Sequence, residues 1–310
     1  MISFHYTGGM GNQMFQYALL YAVSKKTGYE IGGRWKLGER YFGLYVKDPG
    51  RPLVREYKEA DERTQAYDPT VFTQPDDTKY RGYFQNEKFF SDLREEIQSI
   101  FTPRKEIQKK VDVFVQRHLS PEKMTIACCL RAGTYFSFGF PVPGEQYYRD
   151  ALDFICQADK KQLSDYNVLI ISDDKCVARK IFKFLPHAIM GEVKDDVQLF
   201  LIVEADRCII GPSSFFWWGA WLNERPDKMI IAPRYWLNCN KDEPPWLPSG
   251  IQIDNWHYIR VPRCVQAGDL GFSVLLWTYI HSLRINAREM ARFMRRDLQR
   301  HFRSTGNVLL

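Results

Sequence analysis

Near-continuous apolar runs recur through the second half of the chain, over residues 124–130, 168–172, 188–190, 208–211 and 229–232, with amphipathic stretches between them. Strands buried on both faces read this way, so the pattern predicts a parallel sheet wrapped by helices. The first residues read as a strand, a glycine-rich turn and then a helix. After Asn12, the residues Met14, Phe15, Ala18, Leu19, Ala22 and Val23 recur at helical spacing. The rhythm then weakens as far as about Thr102, broken by Gly32-Gly33, Pro49-Gly50, Pro69 and Pro75. Within that stretch, residues 80–84 read as a short strand and residues 86–101 as a helix.

At 310 residues the chain is long enough for one large or two modest domains, and residues 103–120 are the natural boundary. Charged residues at 26% and apolar residues at 45% exclude disordered and multi-span membrane classes. The net charge of +6 suits an anionic small ligand as well as a phosphate backbone, and no nucleic-acid motif accompanies it. Seven cysteines without a C-x-x-C pair read as reduced thiols, and the six scattered histidines offer no metal-ligand spacing. No basic-then-apolar leader precedes the first strand, so a cytoplasmic protein is expected. From about Leu270 an apolar run, Val274-Leu275-Leu276-Trp277, leads into an arginine-rich segment. It is too short and too charged to span a bilayer. A helix docked on its own domain with a solvated arginine face is the favoured reading, and peripheral contact with the inner face of a membrane is the alternative.

Ligands of doubly wound sheets bind beyond the carboxyl ends of the strands, and there the chain is polar. Arg131-Ala132-Gly133 follows the first long run, Ser172-Asp173-Asp174 the next, and Gly211-Pro212-Ser213-Ser214 opens a helix after a third. A helix start with Ser213 and Ser214, facing the planar fork of Arg131, describes a pocket for a nucleoside diphosphate. Phe215, at the head of the Phe215-Phe216-Trp217-Trp218 cluster, offers a ring to a base or sugar, while most of that cluster reads as core. In the first turn, Gly9 and Gly11 permit close backbone approach, and Asn12 and Gln13 can bond sugar hydroxyls. The spacing fits neither G-x-G-x-x-G nor a Walker loop. Plainer roles fit the same residues: helix caps for the serines, an N-cap for Asp173 or Asp174, an ion pair for Arg131 and a tight turn for the glycines.

The segment Gly8-Gly9-Met10-Gly11-Asn12-Gln13-Met14-Phe15-Gln16-Tyr17-Ala18 resembles the opening motif of glycosyltransferase family 11, the α-1,2-fucosyltransferases. Arg81-Gly82-Tyr83-Phe84-Gln85, Ile171-Ser172-Asp173-Asp174 and the segment from Ser213 to Leu222 resemble further segments of that family in the same order. The resemblance runs from Tyr6 to about Trp236 and leaves out the basic tail.

The resemblance implies an α/β, GT-B-like fold of two Rossmann-type domains facing a cleft. Residues 1–115 would form an acceptor-side domain, 116–265 a nucleotide-sugar-binding domain, and 266–310 a basic helical tail. It implies inverting transfer of L-fucose from GDP-β-L-fucose to a galactoside hydroxyl of an oligosaccharide or polysaccharide, with no metal. Gly9, Gly11, Asn12, Gln13, Arg131, Ser172, Asp173, Ser213, Ser214 and Phe215 would line the donor and acceptor sites, with Arg131 catalytic. The family's H-x-R-R-G-D-Y motif reads Cys129-Leu130-Arg131-Ala132-Gly133-Thr134-Tyr135 here, so the histidine, second arginine and aspartate are absent. A thiol and a hydroxyl are poor general bases near neutral pH. Another group then takes the proton, the donor or acceptor differs, or the chain binds sugar nucleotides without turnover.

Overall fold

The computed structural model describes residues 1–48, 50–60, 65–137, 140–236, 250–280 and 283. In the first half, β1 (Ile2–Phe4) leads into α1 (Met10–Thr27). The chain continues through β2 (Ile31–Gly32), α2 (Lys36–Phe42), β3 (Arg55–Lys58), β4 (Thr78–Arg81) and α3 (Arg94–Ile100). The four strands form a parallel sheet in the order β2-β1-β4-β3. Helix α4 (Lys105–His118) then crosses to the second half.

There, β5 (Met124–Leu130), α5 (Gly133–Ser137), β6 (Val142–Pro143), α6 (Glu145–Asp159), β7 (Tyr166–Ser172) and α7 (Lys175–Ile181) follow one another. Next come β8 (Ile189–Met190), α8 (Asp195–Val203), β9 (Arg207–Ile209), α9 (Ser214–Leu222), β10 (Met229–Pro233), β11 (His257–Ile259) and β12 (Cys264–Val265). Six of these strands form an all-parallel sheet ordered β11-β10-β9-β5-β7-β8. Strand order therefore runs outward in both directions from the β5/β9 pair, the arrangement of a dinucleotide-binding Rossmann sheet. β12 and β6 form a separate antiparallel pair.

Side chains of β5 alternate between two cores, as strand geometry requires. Ile126, Cys128 and Leu130 face a cluster with Tyr147, Tyr148 and Phe182. Ala127 and Cys129 face a cluster that continues through Trp217 and Trp218 of α9 into Met14 and Phe15 of α1. One apolar core thus runs through both halves. Its densest part is aromatic: the Phe15 ring lies 4.6 Å from Trp217 and 4.9 Å from Trp218, and Phe90 stacks on Trp218 at 5.5 Å.

Three expectations are corrected. Residues 86–101 are not one helix: Glu87–Phe89 and Ser91–Leu93 are 3-10 turns, and only α3 is α-helical. The Asn86 side chain accepts from Lys88 N, and Phe90 leaves helical backbone (φ −143°, ψ 11°) to reach the core, so tertiary packing overrides local spacing. The strand read over 80–84 ends at Arg81, because Gly82 (φ 148°) and Phe84 (φ 49°) turn the chain. Not all cysteines are thiols: Cys264 is disulfide-bonded, a pairing that spacing along a chain cannot reveal.

Beyond β12, residues 272–280 are helical. This tail helix docks through Val274 and Thr278, both buried, and Lys180 Nζ donates to Leu270 O at 2.5 Å and Ser273 Oγ at 3.4 Å. The arginine face expected for the tail lies outside the described residues.

Candidate functional site

Register positions the two polar strand ends beside each other. β5 and β7 pair from Met124↔Tyr166 to Leu130↔Ser172, so Arg131 and Asp173 are the next residues out on neighbouring strands. Arg131 Nε lies 3.3 Å from Asp173 Oδ2, while Asp173 Oδ1 accepts from Ala132 N at 2.8 Å and Gly133 N at 3.3 Å. One carboxylate thus fixes both the loop after β5 and the guanidinium on it. The Arg131 side chain keeps 32% of its surface exposed, so its fork is not packed interior.

On the other flank, β5 pairs with β9 through Cys128↔Ile209, and Gly211 N donates to Cys129 O at 3.0 Å. A Cβ on Gly211 would stand 3.1 Å from Cys129 O and 3.9 Å from Arg131 N, so the loop leading into α9 lies directly against the Arg131 loop. Two tyrosines brace this junction. Tyr147 donates to Ile210 O at 2.7 Å, and Tyr135, one helical turn after Arg131, donates to Pro212 O. Desolvation raises the Tyr135 phenol above its ordinary range against the partial opposition of Arg131, which keeps it a donor. The chemistry of a pocket wall did not suggest Tyr135; its only signal in the chain was its place in the motif.

The start of α9 is unusual in what it lacks. Ser213 occupies the N-cap, is buried, and makes no side-chain cap bond, and the first turn holds no acidic residue. The start of α1 is the same: Gly9 is the N-cap, without a side-chain bond, and the first turn is free of acids. These two helix starts touch. A Cβ on Gly11 would penetrate Phe215 N and Ser214 C and stand 2.7 Å from Phe215 Cα, so only glycine lets the first turn of α1 lie on the first turn of α9. Asn12 reinforces the contact, its Oδ1 accepting from Ser214 Oγ at 2.6 Å and Gln85 Nε2 at 2.7 Å.

Gly11, Asn12 and Gln13 accordingly lie inside α1, which begins at Met10 rather than after Asn12. Gln13 bonds Gly8 O at 2.9 Å and accepts from Trp35 Nε1 at 2.9 Å. Gly9 faces open space, with no atom within 4 Å of a built Cβ. Ser172 Oγ is buried and engages the main chain of Asp174, whose own carboxylate caps α7 by accepting from Val177 N at 3.0 Å. Phe215 is partly buried beside Phe216, while Phe216, Trp217 and Trp218 are buried. Gln16 was not singled out, although it is fully buried. It joins Thr7 to Gly82 O, the latter at 3.0 Å, and so braces the turn between β1 and α1 against the Gly82 loop.

Position 129, where the resembled motif has histidine, lies inside β5 with its thiol in the core and pushed well above the ordinary range by burial. In this chain, a side chain there faces packing, not the strand ends.

At the strand ends, the charge of Arg131 is held by Asp173, and the helix starts add the field of their N–H groups. Two helix N-termini, each carrying roughly half a positive charge, meet, and the loop leading into one of them lies against the Arg131 loop. Like ends of helices repel, and an anion bound alongside the pair would offset that repulsion.

No protein-family profile matches the chain. An alpha-1,2-colitosyltransferase of Escherichia coli is 26% identical over 272 residues, covering 74% of this chain and 90% of the relative. The O-antigen biosynthesis glycosyltransferase WbnK of Escherichia coli is 25% identical over 187 residues, covering 56% and 58% respectively. Among solved structures, POFUT1 in complex with GDP superimposes with a TM-score of 0.51 at 12% identity, over 74% of this chain and 97% of that one. The fold is thus the α/β, GT-B-like arrangement of two Rossmann-type halves.

Proposed function

We propose that this chain is an inverting glycosyltransferase that moves a 6-deoxy sugar, L-fucose or its 3-deoxy counterpart colitose, from a GDP-activated donor to a galactoside hydroxyl of a glycan in α-1,2 linkage. The observation that carries this reading is the contact of two uncapped helix starts, with the loop into α9 lying against the Arg131 loop, at the point where strand order reverses. Such a point is where Rossmann sheets hold a nucleotide, and the convergence suits its diphosphate. The colitosyltransferase relative supports the sugar class, and the GDP bound to POFUT1 supports the nucleotide.

In the proposed reaction, the acceptor hydroxyl oxygen attacks C1 of the donor sugar and gives up its proton to water. The bond from C1 to the β-phosphate oxygen breaks, and GDP departs with its electron pair. Negative charge grows on that oxygen, and Arg131 with the α1 and α9 starts are fixed donors where it grows, a contribution usually worth the most in such a displacement. Asp173 acts as a positioning residue by holding the guanidinium. Because the chain itself supplies the countercharge, transfer should proceed in EDTA. Position 129 faces the core, so its thiol supplies no base to the site.

The test is incubation with GDP-fucose or GDP-colitose and a panel of terminal β-galactosides, with GDP-induced thermal stabilisation followed in parallel. Transfer from either donor supports the proposal and names the sugar. Stabilisation by GDP without transfer or donor hydrolysis assigns a binding role instead, and the absence of both sinks the site.

A further inference from the structure

The tail helix carries the wrong side chains for a helix facing water. Val274 and Thr278 hold it to the second half, but Phe272, Leu275, Leu276, Tyr279, Ile280 and Leu283 are exposed, with Phe272 at 76%. Single exposed apolar residues are ordinary, whereas a run of them on one short helix marks a contact surface. The segment that follows is equally distinctive in charge. Residues 281–310 hold seven of the 43 basic residues, all arginine, and two of the 37 acidic ones, Glu289 and Asp297. Five of the six net positive charges of the chain therefore sit in its last thirty residues.

We infer that the tail helix and the arginine-rich segment after it seat this protein on the surface of an anionic lipid bilayer. The two features fit that partner jointly. Aromatic and aliphatic side chains enter the boundary between headgroups and acyl chains, and arginines bind the headgroup phosphates without leaving water. Neither feature alone would bind firmly. The described helices include none long and apolar enough to cross a membrane, so the association is peripheral.

Placement gives the surface a consequence for the site. The Trp277 ring reaches within 3.5 Å of where a Cβ on Gly133 would stand, and Gly133 belongs to the loop that Asp173 ties to Arg131. The helix thus lies over the rim of the candidate donor pocket. Seated on a bilayer, the protein presents that rim to the lipid surface, where a membrane-tethered acceptor would be found.

The experiment is co-sedimentation of the full chain with vesicles of phosphatidylcholine alone and of phosphatidylcholine doped with phosphatidylglycerol. Binding to the doped vesicles should exceed binding to the neutral ones by at least about tenfold and fall with added salt. The exposed pair Leu276→Ser and Ile280→Ser, and separately Arg292→Gln with Arg295→Gln and Arg296→Gln, should each weaken it by about tenfold or more. Unaltered melting temperatures in the variants would show that folding is untouched. Equal binding by wild type and both variants, or no binding to doped vesicles, overturns the inference. A concentration-dependent dimer that Leu276→Ser disperses, with no vesicle binding, assigns the face to a second copy of the chain. GDP stabilisation is read separately, so a failure here leaves the proposed reaction standing or falling on its own test.

Discussion

Asn12 and Ser214 are 202 positions apart in the chain, yet their side chains share a hydrogen bond of 2.6 Å at the place where α1 and α9 begin. Asn12 uses the same oxygen to receive Gln85, so one amide joins three segments. Replacing Asn12 with alanine leaves two donors without their acceptor. The expected loss is about 1–3 kcal/mol of stability in urea titrations, with Ser214→Ala costing about 0.5–1.5 kcal/mol. A double-mutant cycle should show coupling; additive losses would mean that the bond contributes nothing.

Arg131 should matter far more to turnover than to folding. Arg131→Ala is expected to lower kcat/KM for transfer by about 10²–10³-fold while shifting the melting temperature little. Arg131→Lys should recover only part of this, because an ammonium cannot reproduce the planar fork. Steady-state kinetics with varied donor give the answer, and wild-type turnover in the alanine variant would remove Arg131 from the mechanism.

Two glycines, two residues apart, should respond in opposite ways. Gly11→Ala forces a methyl into the backbone of Ser214 and Phe215, and such overpacking costs about 1–3 kcal/mol or more. Gly9 has negative φ and open space, so Gly9→Ala should cost under about 1 kcal/mol, the difference between two N-cap residues. Thermal melts of the pair decide it. Equal losses would contradict the close approach of the two helices.

Acid sensitivity should centre on Asp159. Its carboxylate receives Arg207 Nε at 2.9 Å and Nη2 at 2.8 Å, and Tyr166 donates to it at 2.7 Å. The bonds from Arg207, ahead of the one from Tyr166 and against desolvation, hold it below the usual carboxylate range. A group whose pKa is depressed by folding contributes stability that is fully present above its unfolded value of about 3.9 and is lost as pH falls through the folded value. Asp159→Asn should therefore be strongly destabilising near neutral pH, by about 3–5 kcal/mol given that the pair is nearly buried. The gap to wild type should narrow as pH falls below about 4. Denaturant titrations across that range test the slope, and a constant gap would place the effect elsewhere.

Strands were the most legible elements. The run at 124–130 is β5 to the residue, and the polar residues follow at the carboxyl end of that strand. A continuous apolar run leaves a buried strand few alternatives. The first turn of α1 was less legible, because its need for Gly11 arises from α9, two hundred residues further on. Local spacing carries no trace of that neighbour. The break after Phe90 was hidden for the same reason, since Trp218 and Phe15 draw its ring inward. The convergence of helix starts, which dominates the candidate site, was visible for α9 alone.

A seam filled by Phe15, Trp217, Trp218 and Phe90 does not part easily. Halves joined by a large apolar contact move as one body, unlike those separated by a wet and narrow interface. Substrate capture here is therefore not a clamshell closing about a hinge, and small-angle scattering profiles with and without GDP should superimpose. Whatever rearranges to admit a sugar is confined to loops around a rigid floor, so the catalytic geometry is largely set before the donor arrives.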